Sequence, residues 1–236
     1  MLNISQIFPQ NWQKFFDPKY KRIGVGYDVA TTTNKLSNPN SIVLCQPCGD
    51  IYYMRLALVF KTGKPQVIYE IFKHIVENLP HGLKLGKVCV DATSERWFAK
   101  ILKQSLQDLD VPCELVDSSS STEYLGEKMN FKCFLGNQLC ADFEEGRIAI
   151  PNEEFAKVHI RQVYRTKGTF AADVDTTGNH ADFFDAMKLA RYAVSSAEFS
   201  AEAQAISFGS MLMSEQPKRI SSDKRFNKSL AERLFT

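Results

Sequence analysis

No stretch of the sequence is apolar enough to enter a membrane. The most apolar, residues 51–60, is ten residues long and contains Arg55, against the roughly 20 needed to span a bilayer. The opening residues, Met1-Leu2-Asn3-Ile4-Ser5-Gln6, carry no basic segment followed by an apolar run, so no secretory leader is visible. These absences argue against a membrane partner and lead to the expectation of a cytoplasmic chain. A strong charge of one sign is also missing: 29 Lys and Arg face 27 Asp and Glu, a net +2. The basic excess that marks a nucleic-acid-binding domain outright, with a pI above about 9, is not there. A polyanionic partner stays compatible with this balance if carboxylates hold divalent cations, whose own charge changes the local field.

A disulfide framework is lacking as well. Cys45, Cys48, Cys89, Cys113, Cys133 and Cys140 show no paired spacing and are expected to be reduced. Cys45-Gln-Pro-Cys48 has neither a second C-x-x-C nor an H-x-x-H to complete a zinc site. It reads instead as a turn between two strands, with Pro47 and Gly49 as turn residues.

What is present is an ordinary globular composition, 236 residues with 44% hydrophobic and 24% charged, enough for one sizeable core. Residues 1–20, with Pro9, Trp12, Phe15 and Phe16, are expected to form an arm that packs on the body. Residues 21–200 are expected to form one domain. Residues 201–236 lose apolar periodicity and carry Lys218, Arg219, Lys224, Arg225, Lys228 and Arg233, a polar, basic tail.

Ile23-Gly24-Val25-Gly26-Tyr27-Asp28 reads as a strand ending in an acid, and residues 41–46 and 51–60 read as two more. Helical spacing follows over 66–78, closed by Pro80 and Gly82. Lys87-Val88-Cys89-Val90-Asp91 is a short buried strand, again ending in an acid. Residues 94–109 form a helix with Trp97, Ile101, Leu102 and Leu106 on one side, and 113–116 a fifth strand. Beyond the serine loop 118–121, a helix is expected over 122–143 with a break near Gly136. An edge strand at 147–151, a weaker helix at 153–163, a hairpin of 162–166 and 169–174 turned at Lys167-Gly168, and an amphipathic helix from Asp182 to about residue 195 complete the pattern. The fold class is α/β. A central mixed five-stranded sheet, three antiparallel strands then α-β-α-β, is flanked by helices and carries an added hairpin, the order of the ribonuclease H-like fold.

In that order the first and fourth strands are parallel neighbours. Asp28 and Asp91 then share the carboxyl edge of the sheet, where open α/β sheets place their sites. Asp182, opening the last helix, can add a third carboxylate. Such a cluster suits phosphodiester hydrolysis: paired divalent ions activate water and stabilise the leaving oxygen, and Mg²⁺ prefers oxygen ligands. Each acid also has a plainer reading. An Asp at a strand end is often only a turn former. In Asn179-His180-Ala181-Asp182, the Asn can be an N-cap and Asp182 its capping-box acid; His180 and Asp185 can be solvated helix-start residues.

Gly24-Val25-Gly26-Tyr27-Asp28-Val29-Ala30, Val88-Cys89-Val90-Asp91-Ala92-Thr93 and His180-Ala181-Asp182-Phe183-Phe184-Asp185-Ala186 resemble the three acidic motifs of the nuclease domain of the tailed-phage terminase large subunit, over roughly residues 22–195. A helix carrying Lys128 and the segment Gly146-Arg147-Ile148-Ala149-Ile150-Pro151 add to the likeness. The resemblance implies an endonuclease that cuts double-stranded, concatemeric viral DNA during genome packaging in the host cytoplasm, using two Mg²⁺ or Mn²⁺ ions. By it, Asp28 bridges both ions, Asp91 binds one and Asp182 the other, Asp185 is a further or alternative ligand, and His180 orients a water or a carboxylate. The implied partners are DNA, an ATPase motor domain, a portal and a small terminase subunit.

Two departures stand out. Ser94-Glu95-Arg96 follow the second acid where the family often has glycines. No G-x-x-x-x-G-K-[ST] loop occurs, since Lys61-Thr62-Gly63-Lys64 lacks its upstream glycine and the hydroxyl after the lysine. Arg161, Arg165 and Lys167 around the hairpin, with Lys128, are candidate phosphate contacts; a merely solvated hairpin is the alternative. Another ribonuclease H-like nuclease, such as a junction resolvase or transposase core, and a non-catalytic module of the same fold are rival readings.

Overall fold

The computed structural model describes residues 3–32, 38–124, 126–166, 169–173 and 181–195. Strands β1 (Arg22–Asp28), β2 (Asn40–Cys48) and β3 (Ile51–Phe60) form an antiparallel meander, followed by α1 (Pro65–Asn78), β4 (Lys84–Asp91), α2 (Arg96–Gln107) and β5 (Cys113–Val116). β4 runs parallel to both β1 and β5, which is the arrangement the sequence order implies.

The next segment departs from expectation. Residues 122–143 are not one helix. They form a hairpin, β6 (Ser121–Tyr124) and β7 (Glu127–Asn130), around Gly126 in the left-handed region (φ +81°), and then α3 (Phe131–Glu144). Asn130 starts α3 by accepting a hydrogen bond from the Lys132 amide (2.8 Å). The helix passes unbroken through Gly136, whose bare Cα lies against Phe170; an added Cβ would stand 2.3 Å from that ring. Lys128, expected on a helix, is therefore exposed on β7 opposite Glu123.

β8 (Ile148–Ala149) pairs in parallel with Tyr52 and Tyr53 and makes the sheet six-stranded, in the order β5-β4-β1-β2-β3-β8. α4 (Glu154–Arg161), the hairpin of β9 (Val163–Thr166) and β10 (Thr169–Ala172), and α5 (Asp182–Ala193) follow. The C-x-x-C is not itself the turn: Pro47 and Cys48 belong to β2, and the chain reverses at Gly49-Asp50 with Gly49 at φ +62°. All six cysteines are free, and burial pushes the Cys45 thiol up to about 12.

One face of the sheet is covered by α1, α2 and the N-terminal residues. Ile23, Val25 and Tyr27 of β1 meet Ile68, Ile71, Phe72, Phe98 and Leu102 there, and Phe8, Trp12 and Phe16 join the same core. Buried Gln46 fixes the N-terminal segment, accepting from the Asp17 amide (3.0 Å) and donating to the carbonyls of Asp17 (2.7 Å) and Tyr20 (2.8 Å). The other face carries α5. Residues 24 and 26, two apart and so on the same side of β1, are both glycine, which lets α5 lie flush on the strand. α5 is consequently buried on most sides rather than amphipathic: Phe183, Phe184, Ala186, Met187, Leu189, Ala190 and Ala193 are all covered. Among the described residues no helix is long and apolar enough to cross a membrane. The expected basic tail, residues 201–236, lies outside the described residues.

Candidate metal centre at the strand ends

β1 and β4 pair as far as Tyr27 and Val90, so Asp28 and Asp91 are the next residues along adjacent parallel strands. α5 begins with Asp182 over the same end of the sheet, and Asp185 lies one turn on, its amide bonded to the Ala181 carbonyl (3.1 Å). Asp28, Asp182 and Asp185 line one cleft of about 540 Å³, together with Thr31, Glu95, Lys132 and Phe170. The Asp28 carboxyl is held well above the usual carboxylate range. Burial is the main cause, followed by the charges of Asp185, Asp91 and Asp182; Lys188 opposes them.

Asp91 is not among the residues lining that cleft. Its Oδ1 instead accepts from the Thr93 amide (2.8 Å) and the Thr93 hydroxyl (2.5 Å), and Thr93 Oγ1 accepts from the Ser118 amide (2.9 Å). This is the turn-forming role open to any strand-end Asp. Asp182 is 3% exposed. The described part of the N-terminus of α5 is capped by Ala181, without a side-chain hydrogen bond from that residue, and the Phe183 amide faces His159 Nδ1 at 3.5 Å. Asn179 and His180, the expected cap and water-orienting residue, lie outside the described residues, as does Lys167.

Three further groups matter here. Lys188, only 4% exposed, pairs through Nζ with Asp185 and lies over the Phe184 ring (5.1 Å). Glu95 accepts from the Thr31 hydroxyl (2.7 Å), which adds a carboxylate at the segment that departs from the family's glycines. Asn40, fully buried, accepts from the Tyr27 hydroxyl (2.7 Å) and the Ala30 amide (3.1 Å), pinning the loop that leaves β1 toward the cleft. Lys188 and Asn40 do not stand out in sequence, where Lys and Asn read as surface residues; Glu95 stands out only as part of the segment after the second acid.

In kind and charge, these oxygens fit a hard divalent cation, which would relieve the repulsion around Asp28. Their spacing is looser than a finished site. Among the described residues no three His, Cys, Asp or Glu side chains are gathered closely enough to hold a metal ion.

The hairpin positions its bases less uniformly than its sequence suggests. Arg165 is exposed on β9, whereas Arg161 ends α4 and faces Glu154 across 3.8 Å. Val163, Phe170, Ala171 and Ala172 of the hairpin form a wall of the cleft.

No family model and no curated protein matches the sequence. Solved structures do match. The large terminase nuclease from thermophilic phage G20c with bound magnesium is 16% identical, aligned over 75% of this chain and 83% of its own, with a TM-score of 0.53. The human cytomegalovirus terminase nuclease domain is 14% identical over 82% of this chain and 97% of its own, with a TM-score of 0.51. The chain has the terminase nuclease fold. A large terminase from another thermophilic bacteriophage, in complex with ATP-γ-S, gives a TM-score of 0.51 at 14% identity over 78% of this chain, and the match spans 44% of that longer protein. At these identities the likeness concerns the ribonuclease H-like fold, and the chemistry rests on the residues of the cleft.

Proposed function

We propose that this chain is a metal-dependent endonuclease that cuts double-stranded DNA, with Asp28, Asp91 and Asp182 as its metal ligands and Asp185 as a further one. The observation that carries the reading is that Asp28, Asp182 and Asp185 line one cleft at the end of the sheet, with Asp91 on the adjacent strand; burial and the charges of these neighbours hold the Asp28 carboxyl above its ordinary range. Support also comes from the G20c terminase nuclease structures with bound magnesium and with bound cobalt, which share this fold.

Two Mg²⁺ or Mn²⁺ ions, when bound, would supply the Lewis acidity that turns water into a nucleophile and stabilises the leaving oxygen. Asp28, on β1, would be the ligand shared between the two ions. Asp182 and Asp185 approach from α5. Asp91, whose Oδ1 accepts from Thr93, would ligate through Oδ2. Lys188 Nζ neutralises Asp185 in the meantime. His180 would orient a water or a carboxylate. Arg165, Lys167 and Lys128 would meet phosphates, and Arg161 would do so on leaving Glu154.

The biological task that fits is the cutting of concatemeric viral DNA during packaging. A motor ATPase, a portal and a small terminase subunit would then direct the cut, and the chain alone would bind weakly and cleave slowly and unselectively. The test is a panel of linear duplex, four-way junction and RNA–DNA hybrid, each offered with Mg²⁺, Mn²⁺ or EDTA. Metal-dependent cleavage of duplex with little sequence preference is the expected result. Selective cleavage of junction or hybrid would instead make it a resolvase or a ribonuclease, and no cleavage of any substrate would leave a binding module.

A further inference from the structure

Helical periodicity places Trp97 on the buried side of its helix, with Ile101, Leu102 and Leu106. It is instead 74% exposed, and Phe98, Ala99, Leu102 and Leu106 turn inward. The exposed indole offers a large flat aromatic face to a ligand. Its surroundings are one-sided. α2 reads Arg-Trp-Phe-Ala-Lys-Ile-Leu-Lys-Gln-Ser-Leu-Gln, three cations and no acid, and Lys100, Lys103, Gln104 and Gln107 lie on its exposed face. Arg96 is held by Asp117 Oδ2 (2.7 Å). The helix also starts at the rim of the acidic cleft, since Ser94 and Glu95 line it.

We propose that the outer face of α2 is a track for an unpaired DNA strand leaving the cleft, with Trp97 stacking on a base and Lys100 and Lys103 following the phosphates. Aromatic platforms beside cationic grooves hold single strands in this way, because every base offers a flat face whatever its identity. The occupant is a single strand rather than a duplex because base faces are hidden inside a duplex. It is a polyanion rather than an apolar partner because Lys100 and Lys103 are exposed on the same helix, which carries no acid. The direction of travel rests on the nuclease reading above; the binding itself does not.

The protein offers its own probe. Of its two tryptophans, Trp12 is 2% exposed in the core and Trp97 faces solvent, so quenching by an added ligand reports Trp97. The full chain in EDTA is titrated with oligothymidylate, with a blunt duplex and with polyglutamate, and the anisotropy of a dye-labelled oligothymidylate follows binding by the variants that lack Trp97. Oligothymidylate should quench the fluorescence and bind most tightly. Trp97→Ala should weaken binding about tenfold, in line with the value of one stacked base, and Trp97→Phe should restore most of it. Lys100→Glu with Lys103→Glu should weaken binding and lower its salt dependence. All these positions are on the surface, so circular dichroism should show unchanged folds. Binding of oligothymidylate by Trp97→Ala as tight as the parent's, or equal binding of polyglutamate, overturns the track. Duplex cleavage that persists without single-strand binding would sink the track and spare the nuclease, whereas Trp97-dependent binding by a chain that cleaves nothing would do the reverse.

Discussion

Gly26 sits directly beneath Ala186: a Cβ built on Gly26 would stand 1.9 Å from the Ala186 carbonyl oxygen and 2.3 Å from the Ala190 amide nitrogen. Both obstacles are helix backbone, which cannot rotate away. Strand β1 and helix α5 are thus in contact at the level that brings Asp28 beside Asp182 and Asp185. Gly26→Ala should lower stability by about 3 kcal/mol, the upper end of what overpacking costs, and should abolish metal binding by lifting α5. Thermal unfolding with and without Mn²⁺ checks both. A variant with parental stability and binding would show that the flush contact is dispensable.

Asp28 supplies a pH-dependent expectation. Its folded pKa is raised, so the fold favours the protonated carboxyl. The stability it contributes is full below the ordinary carboxylate value of about 3.9 and is lost as pH rises through the raised folded value. At neutral pH without metal, this carboxyl therefore destabilises the fold relative to a neutral side chain. Asp28→Asn, neutral and of the same shape, should melt higher than the parent in EDTA at neutral pH, and the gain should vanish as the pH is lowered. Excess Mn²⁺ should reverse the order, because only the parent binds it; a ligand at 100 times its Kd adds about 2.7 kcal/mol. Lower melting of Asp28→Asn in EDTA at neutral pH would contradict this electrostatic picture.

The acids and the order of the sheet are legible in the sequence because they obey simple periodicities. Asp28 and Asp91 end apolar runs, and a meander followed by α-β-α-β fixes which strands are neighbours. The hairpin at 121–130 is not legible. Its four-residue strands alternate poorly, and only the left-handed turn at Gly126 marks it. Trp97 misleads because an apolar residue at a helical period normally turns inward. Lys188 escapes notice for the converse reason: a charged residue is taken as solvated until its burial or its partner is seen. Asp91 is only half legible, since its place at the strand end is readable but its bonds to Thr93 are not.

Arg165 stands exposed on β9, paired across the hairpin with Phe170, a residue of the cleft wall. If the hairpin grips the DNA backbone, Arg165→Glu should weaken duplex binding to a similar degree for any sequence and reduce the slope of log K against log salt by about 1, the signature of one lost phosphate contact. Titrations at several salt concentrations measure it. An unchanged slope would leave the hairpin as a solvated wall of the cleft.

Metal-dependent nicking of supercoiled plasmid by the parent and by Asp28→Asn, with the folds compared by circular dichroism, is the most direct measurement of the proposed centre. The expected result is conversion to nicked and linear forms by the parent in Mn²⁺, none in EDTA, and none by Asp28→Asn, since the loss of one shared carboxylate charge empties the site. Equal nicking by Asp28→Asn, or nicking by the parent in EDTA, would mean that the chemistry takes place elsewhere.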